Sequence, residues 1–437
     1  MPYNNDEGIV MNYLKRIVDK EIDIKIGAFG AIQLVGPKGC GKTRTASERC
    51  RTIFEFQNED ERQDLLDIAA TKPSILLSRD KPILLDEWQD APQMWGAVRN
   101  ACDKEDLFGA FYLTGSTSKP INTPHTGTLR ISTIEMLPMS LYESKESNGK
   151  ISLADLFNNP KLDVTGIESD LTVEDLLFAC CRGGWPRSLI AKNKESALSV
   201  AKDAYKQICK KDMTSIDGVK RNPDWVEAIL KSYARNIATL SKKNVLVKDV
   251  ITSLPMSEDT YDTYVEKLKE LYVITDVNAW CPQIRNKKSL RAPKKHMFID
   301  PSIAVAALGV SPDYFLNDFD MFGHIFESLV YRDLLAYSSA LGGKFEHYHD
   351  KYDLEVDGVL HLEDGRYALI EIKLGSNHIQ EGIDNLLKVK SLIRNANAEN
   401  NQLPIREPDL LIIVTGGKYA KETEEGVKII PIGCLKD

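Results

Sequence analysis

A glycine-rich octapeptide at residues 36–43 constrains the fold more than any other part of this 437-residue sequence. It follows the apolar stretch 31–35 and precedes a polar stretch that can begin a helix. Its glycines let backbone N–H groups turn inward around a phosphate, and the N-terminus of the following helix adds a favourable dipole. Strand, glycine loop and helix in this order are the context of a Walker A motif, or P-loop. The eight residues are Gly36, Pro37, Lys38, Gly39, Cys40, Gly41, Lys42 and Thr43.

Two side chains at the end of this loop have defined tasks in a P-loop. Lys42 would reach the β- and γ-phosphates of a nucleotide, and the Thr43 hydroxyl would bind Mg²⁺. The alternative is a glycine-rich turn that arises by chance, but the apolar strand and the helix start on either side favour the motif. We therefore expect ATP and Mg²⁺ as cofactors of this loop.

A second motif lies further along the chain, where an apolar stretch ends in two carboxylates. Residues 82–85 are followed by Asp86 and Glu87, the pattern of a Walker B motif. Asp86 would support the Mg²⁺ ion, and Glu87 would polarise an attacking water. Any buried strand can end in acidic residues, so this interpretation depends on the glycine loop upstream.

A third apolar stretch, residues 109–113, ends in the small polar residues Thr114 and Ser116. Three such strands with helices between them predict a parallel sheet with a nucleotide at its carboxyl edge. The arrangement resembles that of AAA-type ATPases, in which such a strand lies between the other two and offers a polar side chain to the γ-phosphate. Thr114 or Ser116 would take that role; an ordinary turn at the strand end is the alternative.

Two arginines are candidates for contact with the nucleotide. Arg130 lies in a polar loop before the predicted strand 131–136, and Arg187 follows the glycine pair 183–184 and a proline that suits a helix start. An arginine near the γ-phosphate could report nucleotide state or stabilise charge during hydrolysis, in its own chain or in a neighbouring one. The alternative for each is a surface ion pair.

The composition restricts the class of protein. With 43% hydrophobic and 27% charged residues the sequence is typical of a globular protein, and no apolar run approaches the length of a membrane span. The first residues are polar and acidic, so we expect no signal peptide, no membrane contact and a cytoplasmic location. Eight scattered cysteines without a CxxC pair favour reduced core thiols over a zinc site.

The middle of the chain, residues 226–300, predicts helices and a terminal β-hairpin, the outline of a winged helix. We expect Asn222 to begin the first helix and Ser257 to cap the third, over 258–271. Six basic residues and no acidic one lie between Cys281 and His296. They could contact the phosphates of DNA; the alternatives are a solvated loop or docking on an acidic neighbouring domain. The six are Arg285, Lys287, Lys288, Arg291, Lys294 and Lys295.

The C-terminal region contains a second constellation of candidate catalytic residues. Glu327 lies on a predicted helix, Asp357 on a predicted strand, and Glu371 and Lys373 on the same face of the next strand. Asp357 and Glu371 could bind Mg²⁺ and activate water for phosphodiester hydrolysis, with Lys373 orienting or deprotonating the nucleophile. The alternative is an exposed strand face with a cross-strand ion pair. The pattern resembles that of restriction-endonuclease-like, metal-dependent nucleases.

Taken over nearly the whole chain, these motifs resemble a family of prokaryotic AAA-type ATPases with a C-terminal restriction-endonuclease-like domain of unassigned function. The residues that carry the resemblance include 36–43, 84–87, 113–116, 137–141, 183–187 and the C-terminal set. The resemblance implies an ATPase core, a winged-helix region and a nuclease-like end. With the largely helical stretch that follows the core, we expect an α/β fold in four parts. They are a P-loop parallel-sheet ATPase core (1–150), a helical lid (151–221), a winged-helix-like segment (222–310) and an α/β restriction-endonuclease-like domain (311–437).

Two functions from different classes fit this organisation. In the first, ATP hydrolysis is coupled to a DNA-binding or nuclease-like C-terminal half. In the second, the ATPase is a switch or scaffold that recruits a protein partner, its C-terminal acidic residues are vestigial, and assembly into a homo-oligomer is an option. A nucleotide kinase fits less well, because no basic lid for an acceptor is evident.

Overall fold

The computed structural model describes residues 13–115, 127–252, 254–282, 293–350, 352, 354–399 and 404–437. The N-terminal part contains a five-stranded parallel sheet with strand order β2-β3-β4-β1-β5. This confirms the predicted parallel sheet, and β4 lies between β1 and β3, as expected. The strands are β1 (Ala31–Val35), β2 (Thr52–Glu55), β3 (Ile83–Asp86), β4 (Phe111–Thr114) and β5 (Ile131–Glu135).

Helices cover both faces of this sheet because its central strands are apolar on both sides. On one face Leu85 and Phe111 pack in a core with Val98, and on the other Leu34 and Tyr112 pack in a second core. The helices of this part are α1 (Val18–Lys25), α2 (Lys42–Ser47), α3 (Arg62–Thr71), α4 (Ser74–Leu77) and α5 (Gln93–Glu105).

The segment after the sheet is mainly helical, as predicted. Thr172 and Asp175 form a capping box that begins its helix α7. A π-helical turn, Ile208–Asp212, follows the longest of its helices. The elements are β6 (Ile151–Ser152), α6 (Leu153–Asn158), α7 (Val173–Arg182), α8 (Pro186–Leu189), α9 (Lys194–Gln207) and α10 (Met213–Ser215).

The middle segment consists of three helices, an antiparallel pair of strands with Val277 opposite Lys295, and two short helices after the strands. Asn222 and Ser257 cap the first and third helices, which confirms both expected helix starts. The winged-helix assignment itself stays a prediction. The elements are α11 (Pro223–Arg235), α12 (Lys243–Ile251), α13 (Glu258–Glu270), β7 (Ile274–Val277), β8 (Lys295–Phe298), α14 (Pro301–Leu308) and α15 (Pro312–Phe315).

The C-terminal part is built on a six-stranded mixed sheet with order β13-β14-β12-β11-β10-β9. The predicted hairpin between β10 and β11 is present, and a long helix connects β11 to β12, its parallel neighbour. Its elements are α16 (Phe319–Ala340), β9 (Gly343–His349), β10 (Glu355–Leu362), β11 (Tyr367–Lys373), α17 (Ile379–Glu399), β12 (Leu410–Thr415), β13 (Lys421–Glu422), β14 (Val427–Pro431) and β15 (Leu435–Lys436), which pairs with β6.

One hydrophobic core runs through the helical segment, the middle segment and the inner face of the C-terminal sheet. It extends from Leu141 to Leu435, so the predicted boundaries near 221 and 310 do not separate independent cores. The five-stranded parallel sheet, in contrast, has cores of its own. Across the described ranges, no helix combines the length and apolar character that a bilayer span requires.

Candidate nucleotide site and C-terminal carboxylate cluster

The glycine loop follows β1 at the carboxyl edge of the parallel sheet. Gly36 has a φ of 142°, and a Cβ atom there would lie 2.2 Å from the backbone oxygen of Met136, so only glycine fits. Gly41, with a φ of 105°, immediately precedes α2 in the left-handed region. The Cys40 N–H donates to the Pro37 carbonyl oxygen, which closes the turn. The two glycines thus set the path of the loop.

The polar side chains of the three predicted motifs meet at one carboxylate oxygen. The Thr43 hydroxyl donates to Asp86 Oδ1 at 2.7 Å, and the Thr114 hydroxyl, fully buried at the end of β4, donates to the same oxygen. The Lys42 ammonium is buried and donates to the Gly36 and Pro37 carbonyl oxygens, both at 2.9 Å. Ser116, the second sensor candidate, lies outside the described residues.

Glu87 follows Asp86 in a left-handed backbone conformation with a φ of 52°. Its carboxylate accepts a hydrogen bond from the Gln89 amide. Burial raises the pKa of Glu87, while this hydrogen bond and the nearby Lys42 ammonium act in the opposite direction. A partly desolvated carboxylate whose pKa lies above its usual range is a stronger base than an exposed one.

Arg16 is a residue of this site that the sequence analysis did not identify. It is 5% exposed and donates to the Cys40 carbonyl oxygen of the loop and to the Leu137 carbonyl oxygen, both at 2.7 Å. Its Nε atom pairs with Glu143 at 2.8 Å. Arg16 therefore joins the glycine loop to residues 137–143, but an arginine far from any motif gave no signal for this contact.

The two candidate arginines lie at opposite edges of the sheet. Arg187 lines a cavity of about 350 Å³ beside Gly39 and Gly41, and within the described ranges its guanidinium makes no hydrogen bond or ion pair. Arg130 directly precedes β5 at the amino edge and pairs with Asp103 at 2.6 Å. Arg187 therefore lies at the glycine loop. Arg130 lies at the other end of the strands, away from the loop of its own chain, and forms a surface ion pair, which was the alternative interpretation for it.

The other side of the loop contacts the helical and middle segments. Lys38 pairs with Asp212 of the π-helical turn at 2.7 Å. A second cavity of about 310 Å³ lies between Pro37, Trp185 and Leu271. The glycine loop is thus enclosed by parts of the chain well outside its own sheet.

The four predicted C-terminal residues also lie in one cluster. The Lys373 ammonium contacts Glu371 at 2.6 Å and Asp357 at 3.4 Å, and Asp357 Oδ2 accepts the Ile372 N–H at 2.9 Å. The cross-strand ion pair of the alternative interpretation, Lys373 with Asp357, therefore exists, but it lies beside the buried Glu371 on a largely buried strand face. Among the described residues, Glu327, on α16, is connected to this group through a further side chain.

That side chain is Lys295, which the sequence analysis placed in a basic loop. Its ammonium lies 2.7 Å from Glu327, 2.7 Å from Glu355 and 3.2 Å from Asp357, and the side chain is 1% exposed. Lys295 is therefore too buried for the DNA contact that we expected of the basic stretch. It makes instead the contact of one alternative, docking on an acidic neighbouring part of the chain. Lys294 is exposed, and the other four basic residues lie outside the described ranges.

The charges of this cluster shift its pKa values in opposite directions. Burial raises the pKa of both Glu327 and Glu371. Burial acts in the same sense on Asp357, but the Lys295 and Lys373 ammonium groups outweigh it and lower the pKa of that carboxyl. Of these three carboxyls, Asp357, in contact with both lysines, is therefore the one whose ionised form its surroundings favour. As the side chains stand, no group of three or more His, Cys, Asp or Glu residues in the described part of the chain is arranged to hold a metal ion.

Comparisons with known proteins agree with the N-terminal assignment. Residues 28–145 match the family model of an AAA domain. Residues 173–314 and 322–435 match two domains of unknown function, DUF8612 and DUF4143. No curated protein matches the sequence. The AAA match, together with the strand order and the glycine loop, shows that the chain contains a P-loop ATPase domain.

Two solved structures are similar in part. The Walker-type ATPase PABY2304 of Pyrococcus abyssi is 13% identical, with a TM-score of 0.41, over 68% of this chain and 96% of that one. The STAND protein PH0952 of Pyrococcus horikoshii, a signal transduction ATPase with a tetratricopeptide repeat sensor, is 12% identical, with a TM-score of 0.23. That match covers 75% of this chain and 53% of the other.

Proposed function

We propose that residues 36–43 bind Mg-ATP and that Glu87 is the base for its hydrolysis. The observation that carries this proposal is that the hydroxyl groups of Thr43 and Thr114 both donate to the same carboxylate oxygen of Asp86. It brings the glycine loop, the acidic strand end and the strand between them to one point at the carboxyl edge of the sheet. Phosphoryl transfer to water needs this combination of phosphate contacts, metal support and a base.

The residues at this point fit a magnesium ion and a nucleotide. Thr43 and Asp86 supply the hydroxyl and carboxylate oxygens that Mg²⁺ prefers, and the ion would neutralise the phosphates. Lys42 would exchange its two backbone carbonyl partners for phosphate oxygens. Glu87 would accept a proton from water, and Thr114 would orient the groups around the γ-phosphate.

The cavity beside the loop suits the nucleoside part of ATP. Its volume of about 350 Å³ lies within the range of about 300–1,000 Å³ usual for small-molecule sites. Tyr13 and Ile190 supply apolar surface, and Arg187 supplies a cation without a partner among the described residues. Arg187 would therefore contact the bound nucleotide from the helical segment.

Two substitutions test this proposal. Lys42→Ala should abolish ATP binding, because the loop loses its phosphate-binding cation. Glu87→Gln should retain ATP binding but lower the hydrolysis rate by about 10²–10⁴-fold, the usual contribution of a general base. The matched control is Glu55→Gln, which changes an exposed carboxylate at the end of the edge strand β2 and should leave both quantities unchanged. Equal hydrolysis rates for Glu87→Gln and wild type would exclude Glu87 as the base.

A second candidate function belongs to the C-terminal cluster. It is metal-dependent cleavage of a nucleic acid, and the specific observation in its favour is the convergence of Asp357, Glu371 and Lys373 on neighbouring strands of a mixed sheet. In this function Asp357 and Glu371 would hold a divalent cation, Lys373 would orient the nucleophile, and Glu327 would complete the site from α16.

Cleavage of DNA and RNA substrates in Mg²⁺ or Mn²⁺, with and without ATP, tests this second function. Wild type and Glu371→Ala should both hydrolyse ATP, and cleavage should vanish in the variant. The control Glu381→Ala changes an exposed glutamate on the following helix. Absence of cleavage in every protein, with ATPase activity intact, would favour the alternative in which the C-terminal domain recruits a protein partner.

A further inference from the structure

Lys295 holds the position of a cation within the carboxylate cluster. Three carboxylates from two elements surround its ammonium group, although Lys295 itself belongs to the middle segment; they are Glu327 on α16 and Glu355 and Asp357 on β10. The nitrogen-to-oxygen distances of 2.7–3.2 Å are those of charged hydrogen bonds. They exceed the distances of about 2.0–2.6 Å at which oxygen binds Mg²⁺ or Ca²⁺.

The hairpin that carries Lys295 is fixed on the C-terminal sheet. The Trp280 N–H donates to the His347 carbonyl oxygen at 2.6 Å, and the His347 N–H donates to the Asn278 carbonyl oxygen at 3.0 Å. The Trp280 ring lies 4.7 Å from the Tyr367 ring, and His347 Nε2 bonds the Pro293 carbonyl oxygen at 3.1 Å. These contacts between the hairpin and the C-terminal sheet therefore hold Lys295 at the cluster.

The charge of the cluster requires such a cation. Four carboxylates, those of Glu327, Glu355, Asp357 and Glu371, face two ammonium groups, those of Lys295 and Lys373. A buried lysine is stable only when its charge is paired, and buried carboxylates are subject to the same restriction. Removal of Lys295 would leave three carboxylates without the cation they share, on a side where Glu355 is 38% exposed and gives access to solvent.

We propose that the Lys295 ammonium takes the place of a divalent metal ion in this cluster, so that Lys295 and the metal exclude each other. The inference concerns the carboxylates of the site proposed above for nucleic-acid cleavage and competes with that function in the wild type, because it predicts neither metal binding nor cleavage there while Lys295 is in place. In the arrangement described here the chain supplies the cation itself, and the cluster is closed to metal. Without Lys295, the oxygens of Glu327, Glu355 and Asp357 become ligands for a divalent cation.

Manganese binding tests the proposal, with bound Mn²⁺ counted by electron paramagnetic resonance on the full chain without nucleotide. Lys295→Ala should bind roughly one Mn²⁺ per chain more than wild type, since three carboxylates suffice for one ion. The extra ion should disappear in Lys295→Ala/Asp357→Asn. Lys294→Ala, which removes the exposed neighbouring lysine, should bind as wild type does.

Three results would overturn the proposal. They are Mn²⁺ binding by the wild type that Asp357→Asn removes, a folded Lys295→Ala protein that gains no Mn²⁺, and a gain that persists in the double variant. If Lys295→Ala does not fold, Lys295→Gln replaces it with the same expectations. If neither folds, wild type and Asp357→Asn decide: equal Mn²⁺ binding supports the proposal, and loss of an ion in Asp357→Asn overturns it.

Cleavage assays on the same proteins separate this proposal from the nuclease function. Mn²⁺ binding by Lys295→Ala with cleavage of nucleic acid supports both. Mn²⁺ binding without cleavage supports the role of Lys295 and counts against the nuclease. Cleavage by the wild type that depends on Asp357 would support the nuclease function and overturn the proposal that Lys295 excludes a metal ion from the cluster.

Discussion

At the scale of single residues, buried cations stand where different parts of the chain meet. Arg16 connects the glycine loop with residues 137–143, Lys295 connects the middle segment with the C-terminal sheet, and Arg332 connects Asp300 with Asp333. Each is at most 5% exposed. A buried cation with fixed carboxylate partners costs stability when one partner is removed, which makes these positions sensitive to substitution.

Arg16→Ala should weaken both the fold and nucleotide binding. It leaves Glu143 buried without its cation, which costs about 3–5 kcal/mol in the free energy of unfolding. It also frees the Cys40 carbonyl oxygen of the loop, and loss of one charged hydrogen bond there should lower ATP affinity by about tenfold. Denaturant unfolding and ATP titration measure the two effects. Arg62→Ala, which breaks an exposed pair with Asp90, should cost less than about 1 kcal/mol and leave affinity unchanged.

The residues that sequence patterns predicted differ in kind from those they missed. Thr43, Asp86 and Thr114 belong to local motifs at strand ends, so topology alone brings them together. Arg16 and Lys295 act through partners far away in sequence, such as Glu143 and Glu327, and nothing in their neighbourhood identifies those partners. Alternation along a strand placed Glu371 and Lys373 on one face, but it could not show which segment covers that face.

At the scale of elements, the glycine pair before α8 marks a close contact. A Cβ atom on Gly184 would lie 2.1 Å from the Met139 backbone oxygen, and the Met139 N–H donates to the Gly184 carbonyl oxygen. Gly184→Ala should therefore cost about 1–3 kcal/mol of unfolding free energy or more, because backbone must move. The same change at Gly96, inside α5 with open space around it, should stabilise by roughly 1 kcal/mol. Thermal or denaturant unfolding measures the change in stability of both variants. A change of the same sign in Gly184→Ala and Gly96→Ala would contradict the prediction.

The stability that Asp276 gives to the hairpin carrying Lys295 should depend on pH. Burial raises the pKa of Asp276, but hydrogen bonds from His296 and Lys269 outweigh this and lower the pKa to about 2. A carboxyl whose folded pKa lies below its unfolded value of about 3.9 stabilises the fold above that value and loses its effect as the pH falls toward 2. The stability difference between wild type and Asp276→Asn should thus be about 2 kcal/mol near neutral pH and shrink between pH values of about 4 and 2. A constant difference across that window would exclude this linkage.

At the scale of the whole molecule, a buried network joins the ATPase core to the rest of the chain. Arg332 on α16 pairs with Asp300 at 3.0 Å and with Asp333 at 2.8 Å. Asp333 accepts the Leu141 N–H at 2.9 Å, and Asp300 accepts the Gly184 N–H at 2.8 Å. The ATPase sheet has hydrophobic cores of its own, whereas most of the chain after Leu141 shares another core, beside a smaller one on the second face of the C-terminal sheet. The network therefore lies at the junction between two units of the chain, the parallel sheet with its own cores and the segments after Leu141.

Removal of this network should uncouple the two units. Arg332→Met leaves two buried aspartates without a cation and should cost about 3–5 kcal/mol. Because the ATPase sheet keeps its own cores, we expect the single calorimetric transition of the wild type to split in the variant. A non-hydrolysable ATP analogue should then raise only the transition of the ATPase unit, since a ligand stabilises only the unit that binds it. In the wild type the analogue should shift the whole transition. Two transitions in the wild type, or an analogue shift of both in Arg332→Met, would show that other contacts couple the halves.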